Sequence, residues 1–242
     1  METREYIDVI RHQSVALLVS ARTDLTAPIP SCPGWTMTDL VAHVGGVWSW
    51  AASIVSSGTR IDEYPAIPNA VVGAALIYMV EERLRQLLQV LESADPQADC
   101  WTFGLPRSVL FWFRRQALET TIHARDAVGA VAHPGPVDAE LACEGIDEFL
   151  TVMLPRQVKD SPDMWTGQSV HLHRTDGEGE WVVQLGPGGS TSIDHERGES
   201  DVTLSGSASS LYLWCLNRIT MDDLDVVGDL TVAHQWNSAV AF

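Results

Sequence analysis

Positive charge is scarce in this chain: 15 Lys plus Arg stand against 32 Asp plus Glu in 242 residues, a formal charge of −17. A surface of that sign repels polyanions, which argues against nucleic acid and acidic membrane surfaces as partners. Cysteines are few as well. Cys32, Cys100, Cys143 and Cys215 are far apart and form no C-x-x-C, so neither a zinc knuckle nor a thioredoxin-type centre is visible, and buried free thiols are expected. No run of about 18 apolar residues could span a bilayer, and the opening METREYIDVIRHQ lacks the basic start and apolar core of a secretory signal. The expected location is the cytoplasm. H-E-x-x-H and G-x-S-x-G are missing, which weakens peptidase and esterase readings. The run GPGGS at 186–190 does not satisfy G-x-G-x-x-G and reads as a hairpin turn.

What is present is a globular composition, 45% hydrophobic, enough for one large core or two modest ones. Residues 3 to about 26 carry Tyr6, Ile10, Leu17, Ala21 and Leu25 at three- and four-residue intervals, an amphipathic helix closed by Pro28 and Pro30. Thr36 and Asp39 have the spacing of a capping box and set the start of a second helix. The stripe from Val72 to Leu91 predicts a third, Ser108 to Val131 a fourth, and about Asp138 to Lys159 a fifth. After that the period changes to alternation: SVHLHRT, EWVVQLG, STSIDHE and DVTLSG predict short strands, followed by helical pieces at about 207–219 and 230–241. The tail is also compositionally distinct, with 13 acidic residues and three arginines over 160–242, a charge of −10. Two domains are expected, 1–159 helical and 160–242 a small α+β layer.

The chemistry starts on the fourth helix. Glu119 and His123 are four apart, so their side chains lie one above the other, close enough to hold one ion. Carboxylate and imidazole both ligate Zn²⁺ and its first-row neighbours, although the same spacing also occurs as a plain hydrogen-bonded pair. His43, in the inward half of the second helix, is the third candidate: across a bundle it can complete a His, Glu, His set with one coordination position open. Asp126, one turn beyond His123, can orient that imidazole or serve as a packing carboxylate. His171 and His173 share one strand face and, with no acidic or cysteine partner at ligand spacing, are expected to be exposed rather than metal-bound.

Two blocks, CPGWTMTDLVAH at 32–43 and ETTIHARD at 119–126, together with a strand-rich tail containing LYLWCLNRI, resemble the mycothiol-dependent maleylpyruvate isomerase family over nearly the whole chain. The resemblance implies an α+β fold, an N-terminal DinB-like up-down four-helix bundle with an extra helix followed by a small sterol-carrier-like α/β domain. It implies a divalent metal, zinc or a neighbour, held by His43, Glu119 and His123, and mycothiol, a small-molecule thiol, as cofactor. It also implies that Arg218 helps hold a small anionic substrate, with Asn217 standing where the family usually has glycine. A metal with an open position would lower the pKa of the thiol. The thiolate would then add to an activated double bond, allow rotation and leave, as an isomerase, or stay attached, as a transferase. Two other classes remain open: a non-catalytic small-molecule-binding protein with a structural or vestigial metal, and a thiol-independent metal hydrolase.

Overall fold

The computed structural model describes residues 1–158, 163–196 and 198–240. They pack as two compact units, Met1–Gly135 and Pro136–Phe242.

The first unit is a four-helix bundle of α1 (Thr3–Thr23), α2 (Met37–Ser57), α3 (Gly73–Ser93) and α4 (Val109–Val131). Its apolar stripes meet in a core that includes Leu17, Leu40, Val44, Trp48, Leu76, Val80, Leu87, Trp112 and Leu118, all fully buried. The capping box at α2 forms as the spacing predicts: the Thr36 backbone N–H donates to Asp39 Oδ2 at 2.8 Å and Thr36 Oγ1 accepts from the Asp39 backbone. That cap fixes the phase of the helix and therefore the direction of His43. The IPSCPGW segment before it is a tight loop, with Trp35 N donating to Cys32 O, Ile29 N to Trp35 O and Met37 N to Ala27 O. Gly34 has φ +86°, a conformation that side-chain-bearing residues rarely adopt, so this turn calls for glycine.

The irregular connection after α3 carries Trp101 and Phe103, which join Trp50, Phe111 and Trp112 in one aromatic cluster at that end of the bundle.

The second unit contains α5 (Ala139–Glu148), a π-helical turn (Phe149–Met153), α6 (Leu154–Gln157), and a five-stranded sheet with α7 (Ala208–Cys215) and α8 (Leu230–Ala239). The strands are β1 (Gln168–Arg174), β2 (Glu180–Gly186), β3 (Ser190–Asp194), β4 (Val202–Gly206) and β5 (Asp225–Gly228), in the order β3-β2-β1-β4-β5. Among the described residues, only the β1–β4 pair is parallel. Val170, Leu172, Val183, Leu185, Val202 and Leu204 are fully buried on one face, the side on which Trp214 and Trp236 stack with ring centroids 5.4 Å apart. GPGGS turns β2 into β3 through a short 3₁₀ segment, as read from the sequence.

Two expectations change. The predicted boundary at 159/160 and the predicted end of the fifth helix at Lys159 lie outside the described residues; the compact units divide at Gly135, which places α5 with the sheet. The reason is its packing partner: the Tyr212 ring of α7 lies against Gly145, where a Cβ would collide with it, Val137 N donates to Ser209 Oγ at 2.9 Å, and Trp181 Nε1 donates to Asp147 Oδ1 at 2.6 Å. β5 was not foreseen, since it is four residues long, lies at a sheet edge and has no buried side chain to give an alternating pattern. His171, expected to be exposed, is buried, and both strand histidines do have an acidic partner, Glu180. The antiparallel register sets His173 directly opposite Glu180, a pairing that sequence separation does not reveal.

Candidate metal centre

His43 on α2 and Glu119 and His123 on α4 converge. One oxygen, Glu119 Oε1, lies 3.3 Å from His43 Nε2 and 3.2 Å from His123 Nε2, and one ligand atom from each residue falls within 4.8 Å of the other two. The two imidazoles meet edge to face at 5.1 Å between centroids. Around a tetrahedral zinc with bonds of roughly 2.0–2.2 Å, neighbouring ligand atoms stand about 3.3–3.6 Å apart. The two contacts to Oε1 match that spacing closely, so the residues present fit a single first-row ion.

Neighbouring groups hold each of the three side chains from behind. His123 Nδ1 lies 3.0 Å from Asp126 Oδ2, and Asp126 is itself buried and accepts from Ser31 Oγ at 2.6 Å and Cys32 Sγ at 3.8 Å. A carboxylate behind the far ring nitrogen fixes which nitrogen carries the proton and turns Nε2 toward the centre. Arg115, one turn before Glu119, pairs with Glu119 Oε2, leaving Oε1 for the histidines. Trp35 packs against His43 with centroids 5.2 Å apart, and Tyr64 donates its hydroxyl to the His43 carbonyl at 2.9 Å. Trp48 Nε1 donates to Thr120 Oγ1 at 3.0 Å, tying α2 to α4 beside the site.

The electrostatics follow from burial. Desolvation alone would raise Glu119, but the Arg115 guanidinium and then His123 outweigh it and hold the carboxyl well below its ordinary range. Burial works against the charge of His123, yet Glu119 and Asp126 lift its pKa from 6.5 to about 9. At neutral pH the centre is thus a carboxylate beside an imidazolium. Burial, then the Glu119 charge, push the Tyr64 phenol up to about 12, so it stays a donor.

Family models match on both sides of the unit division: the mycothiol maleylpyruvate isomerase N-terminal domain over residues 10–128 and the MDMPI C-terminal domain over residues 140–235. The chain belongs to the mycothiol maleylpyruvate isomerase family. Among solved structures, the crystal structure of the mycothiol-dependent maleylpyruvate isomerase matches with TM-score 0.63 and 15% identity over 93% of each chain. A histidine-to-alanine mutant of that protein matches with TM-score 0.64 and 14% identity over 93% of each chain. At such identities the likeness is one of fold. No curated protein matches the chain.

Arg218 lies in the second unit. It follows α7, where its backbone N–H donates to Leu213 O at 2.8 Å and Nη1 to Leu216 O at 2.9 Å. Asn217 before it has φ +54°, the left-handed region, and its side-chain amide donates to Asn237 O and Val240 O at 2.9 and 2.6 Å. Asparagine is, after glycine, among the residues best suited to that conformation, so the substitution keeps a backbone turn compatible with glycine. Sequence reading named the three converging residues and Asp126. It missed Ser31, Cys32 and Tyr64, whose roles depend on loops folding back onto the bundle; the compact Pro-Gly-Trp block was the available signal.

Proposed function

We propose that this protein is a divalent-metal-dependent enzyme, with zinc as the first candidate, that uses a low-molecular-weight thiol, mycothiol, to isomerise a small electrophilic, carboxylate-bearing substrate in the manner of maleylpyruvate isomerase. The observation that carries the reading is the convergence of His43, Glu119 and His123 on one point, in a chain whose family is defined by a mycothiol-dependent isomerase. A metal held by these three side chains would supply Lewis-acid chemistry at that position, making a bound thiol acidic at neutral pH.

The chain's own residues prepare that position. Asp126 holds the far nitrogen of His123, Arg115 balances the negative charge of Glu119 without occupying Oε1, and Trp35 restricts the ring of His43. Glu119 and His123 are largely buried, which excludes water and strengthens each charge interaction. His43, a third exposed, is the ligand that solvent reaches most. Arg218 is the candidate for the substrate carboxylate, which a guanidinium can bind through two parallel hydrogen bonds. Asn217, where the resemblance has glycine, adopts φ +54°, a turn that asparagine and glycine both accept.

The test is elemental analysis of protein purified without chelator or metal-affinity resin, for the wild type and for His43→Ala, Glu119→Ala and His123→Ala, with turnover of electrophilic cis-alkene acids measured with and without added thiol. Near-stoichiometric zinc in the wild type, lost in all three variants, and thiol-dependent turnover are expected. Equal metal content in variants and wild type would sink the assignment, and turnover of the same acids without thiol would refute the thiol dependence. Arg218→Ala should keep the metal and raise KM for the carboxylate substrate; unchanged KM removes that residue from the site.

A further inference from the structure

Among the described residues a second group of metal-ligating side chains lies far along the chain from the first. His171 and His173 occupy alternate positions of β1 and so point to the same face of the sheet, the one opposite the buried Val170 and Leu172. Glu180 on β2 is directly opposite His173 and one diagonal step from His171. Its two oxygens divide between the rings: Oε2 lies 2.6 Å from His171 Nε2 and Oε1 lies 2.8 Å from His173 Nδ1. One ligand atom from each of the three lies within 4.8 Å of the others.

The surroundings favour a cation. His171 is 3% exposed, while His173 and Glu180 are 33% and 23% exposed, so one ligand is fixed in the sheet and the other two border solvent, which gives an ion a way in. The segment 160–242 carries a net charge of −10 and attracts cations generally. Two imidazoles and one carboxylate select a borderline first-row ion such as Zn²⁺, Co²⁺ or Ni²⁺ over Mg²⁺ or Ca²⁺, which prefer all-oxygen sites. Because the ligands come from adjacent strands in fixed register, little conformational freedom is lost when they gather on an ion.

We infer that His171, His173 and Glu180 form a second divalent-cation site, on the sheet of the C-terminal unit, that takes zinc or a neighbouring first-row ion independently of the trio at His43, Glu119 and His123. The 242-residue chain then holds two ions. The second joins β1 to β2 and stabilises the folded state by mass action, because the unfolded chain does not hold the three ligands together.

The experiment strips the 242-residue protein with chelator and titrates it with Zn²⁺ alone against a chromophoric competitor, with circular dichroism confirming the fold. Two equivalents are expected in the wild type, one in His123→Ala, one in His173→Gln and none in the double variant. Glu180→Gln, close in size and still able to hydrogen-bond, provides an independent route to the same loss should His173→Gln fold poorly. Identical zinc counts in wild type, His173→Gln and Glu180→Gln overturn the inference, as does His123→Ala that binds no zinc. If the first trio alone is misassigned, the wild type and His123→Ala each bind one ion and His173→Gln binds none, which separates the two readings.

Discussion

Replacing Asp126 tests whether the centre on α4 is built as a metal site. The carboxylate is nearly inaccessible, with Oδ2 3.0 Å from His123 Nδ1 and Oδ1 accepting from Ser31 Oγ at 2.6 Å. Asp126→Asn keeps the shape, and its remaining oxygen can still face the imidazole while the amide turns to the Ser31 hydroxyl. What it removes is the negative charge that makes His123 a better donor to a metal. Loss of such a supporting carboxylate typically costs 10- to 100-fold in metal affinity, about 1.4–2.7 kcal/mol. The isosteric variant should fall near the lower end, and Asp126→Ala, which also frees the ring to rotate, near the upper.

Protons complicate the reading, because Asp126 strengthens the hold of His123 on its proton as well as on a metal. At pH 7 the two effects oppose each other. Zinc affinity is therefore measured in metal-buffered solution at about pH 9.5, above the His123 pKa of about 9, as well as at pH 7. The expected result is a loss of about tenfold for Asp126→Asn at the higher pH and a smaller loss at pH 7. Unchanged affinity at pH 9.5 in both variants would refute the claim that this carboxylate supports a ligand.

Zinc binding near pH 7 should release about one proton from His123, read by calorimetry in buffers of different ionisation enthalpy; no buffer dependence contradicts the imidazolium assigned to the metal-free centre. In the metal-free protein the raised His123 pKa stabilises the fold fully below about pH 6.5 and that contribution is lost as pH rises through about 9, so the melting temperature should decline across this window. Asn217→Gly and Asn217→Ala both lose the side-chain bonds to Asn237 and Val240, but only alanine strains the left-handed backbone at φ +54°. Alanine should be the less stable by about 1 kcal/mol in urea denaturation, and equal stabilities would show that the backbone conformation there costs nothing.

The features legible in the sequence are those whose physics is local. The Thr36–Asp39 capping box spans four residues, and its hydrogen bonds form within one turn. The four-residue step from Glu119 to His123 places both on one helix face whatever surrounds them. Alternation likewise put His171 and His173 on a single sheet face. Each of these depends only on the repeat of a helix or a strand.

Tertiary structure decided which of these faces meet. His43 completes its trio only because α2 packs beside α4, and Ser31 and Cys32 reach Asp126 only because the Pro-Gly-Trp loop folds back over the bundle. Glu180 becomes the partner of two histidines through strand register, set by how β1 and β2 pair rather than by the identity of either residue. The amphipathic character of α5 was apparent, but not which unit covers its apolar side; close packing of Gly145 against Tyr212 answers that. The helices, most of the strands and the chemistry of the candidate ligands are legible in local order, because propensity, capping and periodicity act over a few residues. The assembly of ligands into sites came from packing, because residues 76 positions apart are brought within hydrogen-bond distance only by the burial of apolar faces elsewhere on their elements.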